Sequence, residues 1–411
     1  MRLLLISQYY SPEIGAGPAR ITGLSENLAK LGHSVTVITG LPNYPVGVIH
    51  PKYRGRLFVK ESMNGVEVLR TWLFASPRKT TVRRLLNYVT FALSATLHGL
   101  LIEDKFDVIF ASSPPLFVGV PALVISGKKQ IPYIFDVRDM WPEIAILLGQ
   151  IRETSFVTRL AKWLEAKLYS NASRISVVTA GKMEKLVKAG VCSNKIFVLS
   201  NGVDDEFLEL PGDLVTRADL GFSPDDFVIA YAGTIGLAQG VGILLDAADR
   251  FKDDSNIKFL IIGEGVEKQV LVERANTAGL ASVKFLPLQP KHKIPSFLSI
   301  SDVAFVPLKS DTLTDSIPSK LYECLGVGCP VILAATGDSR DLIRKAGAGM
   351  VIEPGNVHQL VGAIRSLSVN RTLKEQYSKN GRAYVRQHYL RSDLAKQLER
   401  VCISIIEADQ K

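Results

Sequence analysis

Cysteine is scarce in this sequence: four residues in 411, Cys192, Cys324, Cys329 and Cys402, scattered and without a Cys-x-x-Cys pair. That excludes a disulfide-stapled scaffold and a thiolate metal site, and thiols of this kind serve as small buried apolar residues in a reducing compartment. The six histidines are isolated from one another, so no metal site is expected. No uninterrupted apolar run reaches the roughly 20 residues that a bilayer-spanning helix needs, and no low-complexity tract or short internal repeat stands out. The start lacks the basic leader, apolar run and small-residue cleavage site of a secretory signal. Arg2-Leu3-Leu4-Leu5-Ile6-Ser7 reads as a strand at once, with Tyr9, Tyr10, Pro12 and Glu13 close behind. The expectation is a chain that is not exported and works in the cytoplasm.

What is present is ample apolar material. Apolar residues make up 47% and charged residues 22%, which argues against disorder and, over this length, suggests two cores rather than one. The charge is uneven. Residues 1–200 carry 25 Lys and Arg against 13 Asp and Glu, a net +12, whereas residues 201–411 carry 24 against 27, a net −3. A basic half beside a mildly acidic one points to an anionic partner for the first half. Its basic residues are not interleaved with aromatics as on a base-stacking platform, so the expectation is no nucleic acid and an anionic membrane surface instead.

Short runs rich in Val and Ile, bounded by turn residues, read as strands buried on both faces. They fall at 3–7, 34–39, 66–71, 108–111, 133–136, 175–179 and 196–199, then again at 227–232, 258–262, 283–286, 303–307 and 331–334. Helical stretches alternate with them, at 19–31 and 158–170 in the first set and at 241–251, 268–278, 291–298, 319–326 and 340–346 in the second. Such alternation implies parallel, doubly wound sheets. The polar stretch 201–226, with Pro211, Gly212 and Pro224, reads as a linker, and beyond Gly355 the pattern is mostly helical. The expected architecture is α/β: two Rossmann-like, doubly wound parallel-sheet domains facing across a cleft. They span 1–203 and 204–383, with a C-terminal helix at about 384–411 packing back on the first.

Residues 80–102 depart from this pattern. Arg83 and Arg84, after Arg78 and Lys79, precede an apolar stretch through Phe91, Leu93, Leu97, Leu100 and Leu101 that Asn87, His98 and several hydroxyls interrupt. Two readings stand: a helix packed on the sheet, and an interfacial helix that docks on lipid, favoured by the positive charge around it.

Three places carry candidate chemistry. The first βα junction reads Tyr9-Tyr10-Ser11-Pro12-Glu13-Ile14-Gly15-Ala16-Gly17-Pro18-Ala19-Arg20. Gly15 and Gly17 would let the backbone approach a ligand, and the following helix would offer free N–H groups to a phosphate. The run is not Gly-x-Gly-x-x-Gly, since position 20 is Arg, and a tight turn without a ligand is the alternative. In the second, residues 311–332, Asp315 lies in a loop ending at Pro318, which suits a first helical turn, and Glu323 lies in the helix. A pyrophosphate could sit at that helix start among Ser316, Ile317, Pro318 and Ser319, with Lys320 as a point charge. Glu323 could accept two ribose hydroxyls, and Asp315 could hold hydroxyls of a donor sugar; taken alone, such a pair is more often a capped loop and an exposed helical glutamate. In the third, Asp139 follows a strand end and could orient or activate an acceptor hydroxyl, or cap a helix ahead of Trp141-Pro142. Asp136 and Arg138 beside it could form a structural ion pair.

On these residues the whole chain resembles glycosyltransferase family 4, retaining enzymes with the GT-B double-Rossmann fold. Asp315 and Glu323 resemble the family's Glu-x7-Glu pair, with Asp in first place. Gly328-Cys329-Pro330-Val331-Ile332 matches its Gly-x-Pro-Val-Ile strand, and Asn201-Gly202-Val203-Asp204 resembles its interdomain segment. Gly15 and Gly17 fall at its N-terminal glycine loop, and Gly263-Glu264-Gly265 at the loop beneath the base. Asn43-Tyr44-Pro45 and Asp136-Val137-Arg138-Asp139-Met140-Trp141-Pro142-Glu143 are similar to the subgroup around the fucosamine transferase WbuB, which builds bacterial surface polysaccharide on lipid carriers.

The resemblance implies transfer of a hexosyl or N-acetylhexosaminyl group from a UDP-sugar to a lipid-linked or free saccharide. Donor contacts would come from Gly15, Gly17, Thr234, Gln239, Gly263, Glu264, Leu288, Ser316, Ile317, Pro318, Ser319, Lys320 and Glu323, and catalytic roles would fall to Asp139, Asp315 and Lys320. No resident cofactor is implied, since the nucleotide sugar is a substrate. The nucleotide would leave from the front face, its phosphate helping to deprotonate the acceptor, and domain closure would keep out water.

One departure bears on the chemistry. Family members set an Arg and a Lys in a Gly-Arg…Lys-Gly segment against the donor diphosphate, whereas here Thr234 and Gln239 stand at those places in Gly233-Thr234-Ile235-Gly236-Leu237-Ala238-Gln239-Gly240. Two charge-assisted contacts, of about 1.5–3 kcal/mol each, are missing. No Asp-x-Asp occurs to chelate a metal on the diphosphate, so the electrostatic work falls to backbone N–H groups and Lys320. A UDP-sugar 2-epimerase of the same fold and a non-catalytic nucleotide- or membrane-binding relic are the competing readings; the full run from Asp315 to Ile332 favours transfer.

Overall fold

The computed structural model describes residues 1–78, 80–147, 149, 151–209, 214–308 and 314–409. Lys79, the linker residues Pro211 and Gly212, and the opening of the 311–332 motif through Leu313 lie outside the described residues. The chain divides into two units, Met1–Asn201 with Arg391–Lys411, and Gly202–Leu390.

The first unit is built on eight strands: β1 (Arg2–Ile6), β2 (Ser34–Gly40), β3 (Phe58–Met63), β4 (Val66–Thr71), β5 (Val108–Ser113), β6 (Tyr133–Val137), β7 (Arg174–Val177) and β8 (Ile196–Val198). They lie in the order β3-β4-β2-β1-β5-β6-β7-β8. Its helices are α1 (Ala16–Lys30), α2 (Thr81–Leu101), α3 (Gly119–Lys129), α4 (Glu143–Leu147), α5 (Phe156–Asn171), α6 (Ala180–Lys188) and, last in the chain, α14 (Arg391–Asp409). The central strands are buried along their whole length, as their unbroken apolar runs require. One face packs Phe91, Ala95, Ala122, Ile125 and Leu168 of α2, α3 and α5. The other packs Ile21, Leu24 and Leu28 of α1 with Leu394, Leu398, Cys402 and Ile405 of α14. His33, just past α1, bonds Glu399 of α14 at 2.7 Å.

β3 is an addition to the sequence reading. It pairs antiparallel with β4 around Asn64-Gly65, both at positive φ (50° and 81°), the dipeptide that a tight hairpin turn favours. Its exposure alternates along the strand, and Lys60, Glu61 and Ser62 break any apolar run. The Asn-Gly pair was the available signal.

The second unit has six strands, all parallel: β9 (Phe227–Ala232), β10 (Ile257–Ile262), β11 (Val283–Leu286), β12 (Val303–Pro307), β13 (Val331–Ala334) and β14 (Gly349–Ile352). Their order is β11-β10-β9-β12-β13-β14. The helices are α7 (Ile243–Arg250), α8 (Lys268–Thr277), α9 (Ile294–Ser299), α10 (Ser319–Val327), α11 (Gly337–Ala346), α12 (Val357–Val369) and α13 (Arg371–His388). Counted within the unit, the strands run third, second, first, fourth, fifth, sixth. That is the dinucleotide-fold order, with its direction reversing between β9 and β12. In the first unit the equivalent reversal lies between β1 and β5. Among the described residues, no helix is long and apolar enough to cross a membrane.

Candidate functional site

A doubly wound sheet opens a crevice beyond its strand ends at the point of reversal. In the second unit, residues 233–240 follow β9, residues 263–265 follow β10, and the segment from Thr314 into α10 follows β12. The first two loops touch backbone to backbone. Gly233 donates its N–H to Ile262 at 2.9 Å, and Ile235 donates to Glu264 at 2.9 Å. Gly263 has φ +149°, and a Cβ there would run into the Gly233 carbonyl oxygen. Only glycine meets both conditions.

Lys320 reaches into this junction from the first turn of α10. Its Nζ donates to the Tyr231 hydroxyl at 2.8 Å and stands 4.1 Å from the centre of the same ring. The Tyr231 hydroxyl donates in turn to the Thr234 carbonyl. Gly233 leaves room for the ammonium: a Cβ there would stand 2.7 Å from Nζ. Lys320 makes no ion pair with a described residue. Burial, the dominant effect, pushes its ammonium down to about 8, against the opposing pull of Cys324 and Glu323. A cation held this way is poised to receive an anion.

The helix start beside it is open. Pro318 caps α10 without a side-chain hydrogen bond, and the first turn holds no acidic residue, so its first amides and dipole favour negative charge. The preceding loop is braced by α11, with Asp338 N–H donating to the Thr314 carbonyl at 2.8 Å and Ser339 Oγ to the Ser316 carbonyl at 2.6 Å. Asp315 is buried. Ser316, Ile317, Pro318, Ser319 and, one turn beyond Lys320, Glu323 are half-buried. Thr234 is exposed and Gln239 half-buried in the loop after β9. Glu264 is engaged by Lys268 at 2.6 Å, and Leu288 stands 41% exposed beyond β11. The structure thus gathers Gly233, Gly263 and Lys320 into contact. Tyr231, which sequence reasoning did not single out, is what fixes the lysine; its only advance signal was a hydroxyl at the buried end of a strand, which needs a partner.

Gly15, Gly17 and Asp139 belong to the first unit. Gly15 (φ 150°) caps α1 without a side chain, and the first turn again lacks acid. Asp139 is half-buried between β6 and α4. Asp136 corrects one expectation: its ion-pair partner is Arg20, not Arg138. It accepts from Arg20 Nη2 at 3.0 Å and Nε at 3.2 Å, and from Ser112 and Ser176 Oγ at 2.7 Å each, with both charged side chains fully buried. Arg20 also donates to the Leu199 carbonyl at 2.9 Å and to that of Ser200. The arginine that interrupts the glycine motif therefore locks α1 to the sheet. Among the described residues, no three His, Cys, Asp or Glu side chains form a set that could hold a metal ion.

The chain matches two family profiles, "Glycosyl transferase 4-like domain" over residues 15–202 and "Glycosyl transferases group 1" over residues 215–384. It is 28% identical over 393 residues to the putative colanic acid biosynthesis glycosyl transferase WcaI of Escherichia coli (strain K12), covering 92% of this chain and 95% of that one. It is similar in structure to sucrose-phosphate synthase from Thermosynechococcus elongatus, with TM-score 0.78 and 17% identity over 99% of each chain. It is also similar to HepE from Anabaena, solved in complex with UDP-glucose, with TM-score 0.70 and 17% identity over 98% of this chain and 100% of that one. The structural likenesses carry the fold, and the two profiles, spanning most of the sequence between them, carry the family: the chain is a glycosyltransferase of family 4 with the GT-B fold.

Proposed function

We propose that this enzyme moves a hexosyl or N-acetylhexosaminyl group from a UDP-sugar to a lipid-linked saccharide, with retention and without a metal ion, in bacterial surface polysaccharide synthesis. The observation that carries the reading is Lys320: a cation without an ion pair to any described residue, clamped at the sheet reversal beside an open helix start. Donor diphosphate bound there would meet the Lys320 ammonium and the first amides of α10, and charge growing on the leaving phosphate would be stabilised by groups already in position. Glu323 takes the ribose hydroxyls and Asp315 those of the donor sugar. The leaving phosphate accepts the acceptor's proton, so no protein nucleophile is needed, and Asp139 orients the acceptor hydroxyl. The name of the E. coli relative supports polysaccharide synthesis, and the Anabaena complex supports a UDP-sugar.

Calorimetric titration with UDP in EDTA, beside Glu323→Ala, tests the donor half. Binding that the variant loses supports a metal-free uridine site on α10; no binding by the wild type overturns it. Turnover of UDP-sugars without an acceptor would mark an epimerase, and binding without any turnover a relic.

The lipid half is supported by α2. The helix buries Phe91, Ala92, Ala95 and Gly99, yet Val82, Leu86, Leu93, Leu97 and Leu101 are exposed, four or seven residues apart, on one outward stripe. It contains no acidic residue, and Arg83 and Arg84 stand in its first turn. On α5, Phe156, Leu160 and Trp163 are also exposed. An apolar outer stripe under a basic end suits peripheral docking on the anionic inner face of the plasma membrane. In liposome flotation, neutralising Arg78, Lys79, Arg83 and Arg84 should release the protein from anionic vesicles. Unchanged flotation would sink the idea.

A further inference from the structure

We propose that Arg138 is a phosphate-binding residue of the first unit, adding a permanent charge to the start of α1 that the glycine loop already opens to an anion. The proposal deepens the reading above, because it names a second diphosphate contact for the same enzyme.

Three observations carry it. The first is an unpaired guanidinium. Arg138 Nε is buried without a hydrogen-bond partner, and the side chain makes no hydrogen bond or ion pair with any described residue. An arginine has five donors and does not shed its proton. The nearest carboxylate in sequence on the strand side, Asp136, is committed to Arg20, Ser112 and Ser176. Asp139 acts on Arg138 only through space, and Arg20 and Arg391 add positive charge against it. A partly buried charge left this way costs stability, so its retention calls for an anion that it receives.

The second is the fit against α1. A Cβ on Gly17, the second residue of the helix, would stand 2.8 Å from Arg138 Nη1, 3.8 Å from Cζ and 3.9 Å from Nη2. The glycine is what allows the guanidinium to lie along the helix start. That start has no side-chain cap and no acid in its first turn. Pro18 removes one amide and leaves those of Ala16 and Gly17. A planar fork beside two amides at the positive end of a 15-residue helix is a phosphate cradle.

The third is position. Arg138 follows β6, and its backbone N–H bonds Ser113 at the end of β5 at 3.4 Å. This brings its side chain to the β1–β5 reversal, where such sheets bind ligands.

The phosphate has two possible sources, the diphosphate of the nucleotide sugar and the diphosphate linking an acceptor saccharide to its lipid. Inorganic pyrophosphate is titrated into the full chain in a Lys320→Met background, which silences the other cation, with and without Arg138→Gln or Arg138→Lys. Arg138→Gln should lose at least tenfold in pyrophosphate affinity, with Arg138→Lys between it and the parent, and neither should melt below the parent because no contact is lost. UDP is then titrated into the chain with Lys320 intact. If Arg138→Gln weakens UDP as well, the phosphate is the donor's; if UDP binding is unchanged while pyrophosphate binding falls, it is the acceptor's. Unchanged pyrophosphate affinity overturns the site, and so does a melting point lowered by several degrees, which would make Arg138 a structural residue. Failure of the uridine site itself is read separately, through Glu323→Ala with Arg138 intact.

Discussion

Each sheet brings a cation to its point of reversal, and the two are held in opposite ways. Lys320 is clamped by the hydroxyl and ring of Tyr231 and fitted against Gly233. The Arg138 side chain lies against Gly17 and makes no hydrogen bond to a described residue. The lysine is positioned and titratable; the arginine is permanently charged and adaptable in its contacts. A third cation shows that the first unit can neutralise an arginine where the fold requires it. Arg20 is fully buried, shares two hydrogen bonds with Asp136, and has two backbone carbonyls besides. Arg138, two positions along from that same aspartate, is left open. The contrast separates charge that holds the fold from charge that we propose is kept for a ligand.

The largest expected effect breaks the structural pair. Asp136→Ala leaves Arg20 buried without its carboxylate and should cost the first unit about 3–5 kcal/mol. Trp72, Trp141 and Trp163, the three tryptophans of the sequence, all lie in that unit, so tryptophan fluorescence in urea reads its unfolding selectively. Arg138→Gln in the same assay should leave the midpoint where it is or raise it. Equal losses for both would erase the distinction between the two arginines.

Next in size is the lysine proposed to face the ligand. Lys320→Met should weaken UDP by about tenfold to 150-fold, the loss of one charge-assisted contact of about 1.5–3 kcal/mol. Gln239→Ala should stay within about twofold, since a neutral amide has no such contact to lose. Equal, small losses would mean that the missing Arg and Lys of the family have no replacement on α10.

The sequence made the architecture legible because strands buried on both faces leave nothing to interpretation: continuous Val- and Ile-rich runs sit between turn residues. It failed at the margins. β3 lies on a sheet edge and sets three polar residues in a row, Lys60, Glu61 and Ser62, and β14 is a four-residue strand, Gly349-Met350-Val351-Ile352, buried only in part. Within the candidate site, Lys320 stood out because it belongs to a local pattern, five residues after Asp315. Tyr231 was not, because its bond to Lys320 spans 89 positions. The Asp136 pairing went to the wrong arginine for the same reason. Arg138 is two residues away in sequence and Arg20 is 116 away, yet α1 carries Arg20 across the sheet to the carboxylate. Thr234 and Gln239 rested on resemblance alone, and their side chains form no part of the clamp on Lys320.

A smaller effect follows from titration. Lys320 supplies its attraction while protonated, below about 8, so UDP affinity should hold at neutral pH and fall as pH rises beyond that, by at most about tenfold per unit. A bound diphosphate favours the charged form, so the decline begins where the free lysine titrates and continues until the lysine of the complex titrates as well. Lys320→Arg should flatten the profile, and pyrophosphate binding that depends on Arg138 should not follow it. A wild-type profile flat from pH 7 to about 9.5, well past the lysine's titration, would show that the ammonium is not the anion's partner.

The smallest effect is the most discriminating. Tyr231→Phe keeps the ring under the Lys320 ammonium and removes one hydrogen bond, worth about 1 kcal/mol, so UDP should weaken about fivefold. Losing that acceptor also removes support for the charged lysine, and the alkaline fall in affinity should begin at lower pH than in the wild type. The direction follows from the geometry: the hydroxyl at 2.8 Å accepts from the protonated amine, and deprotonation gives up the strongest form of that bond. A tyrosine that merely filled the core would change the melting temperature and leave the midpoint of the pH profile in place. A shifted midpoint at unchanged melting temperature is what a residue that positions the lysine must produce.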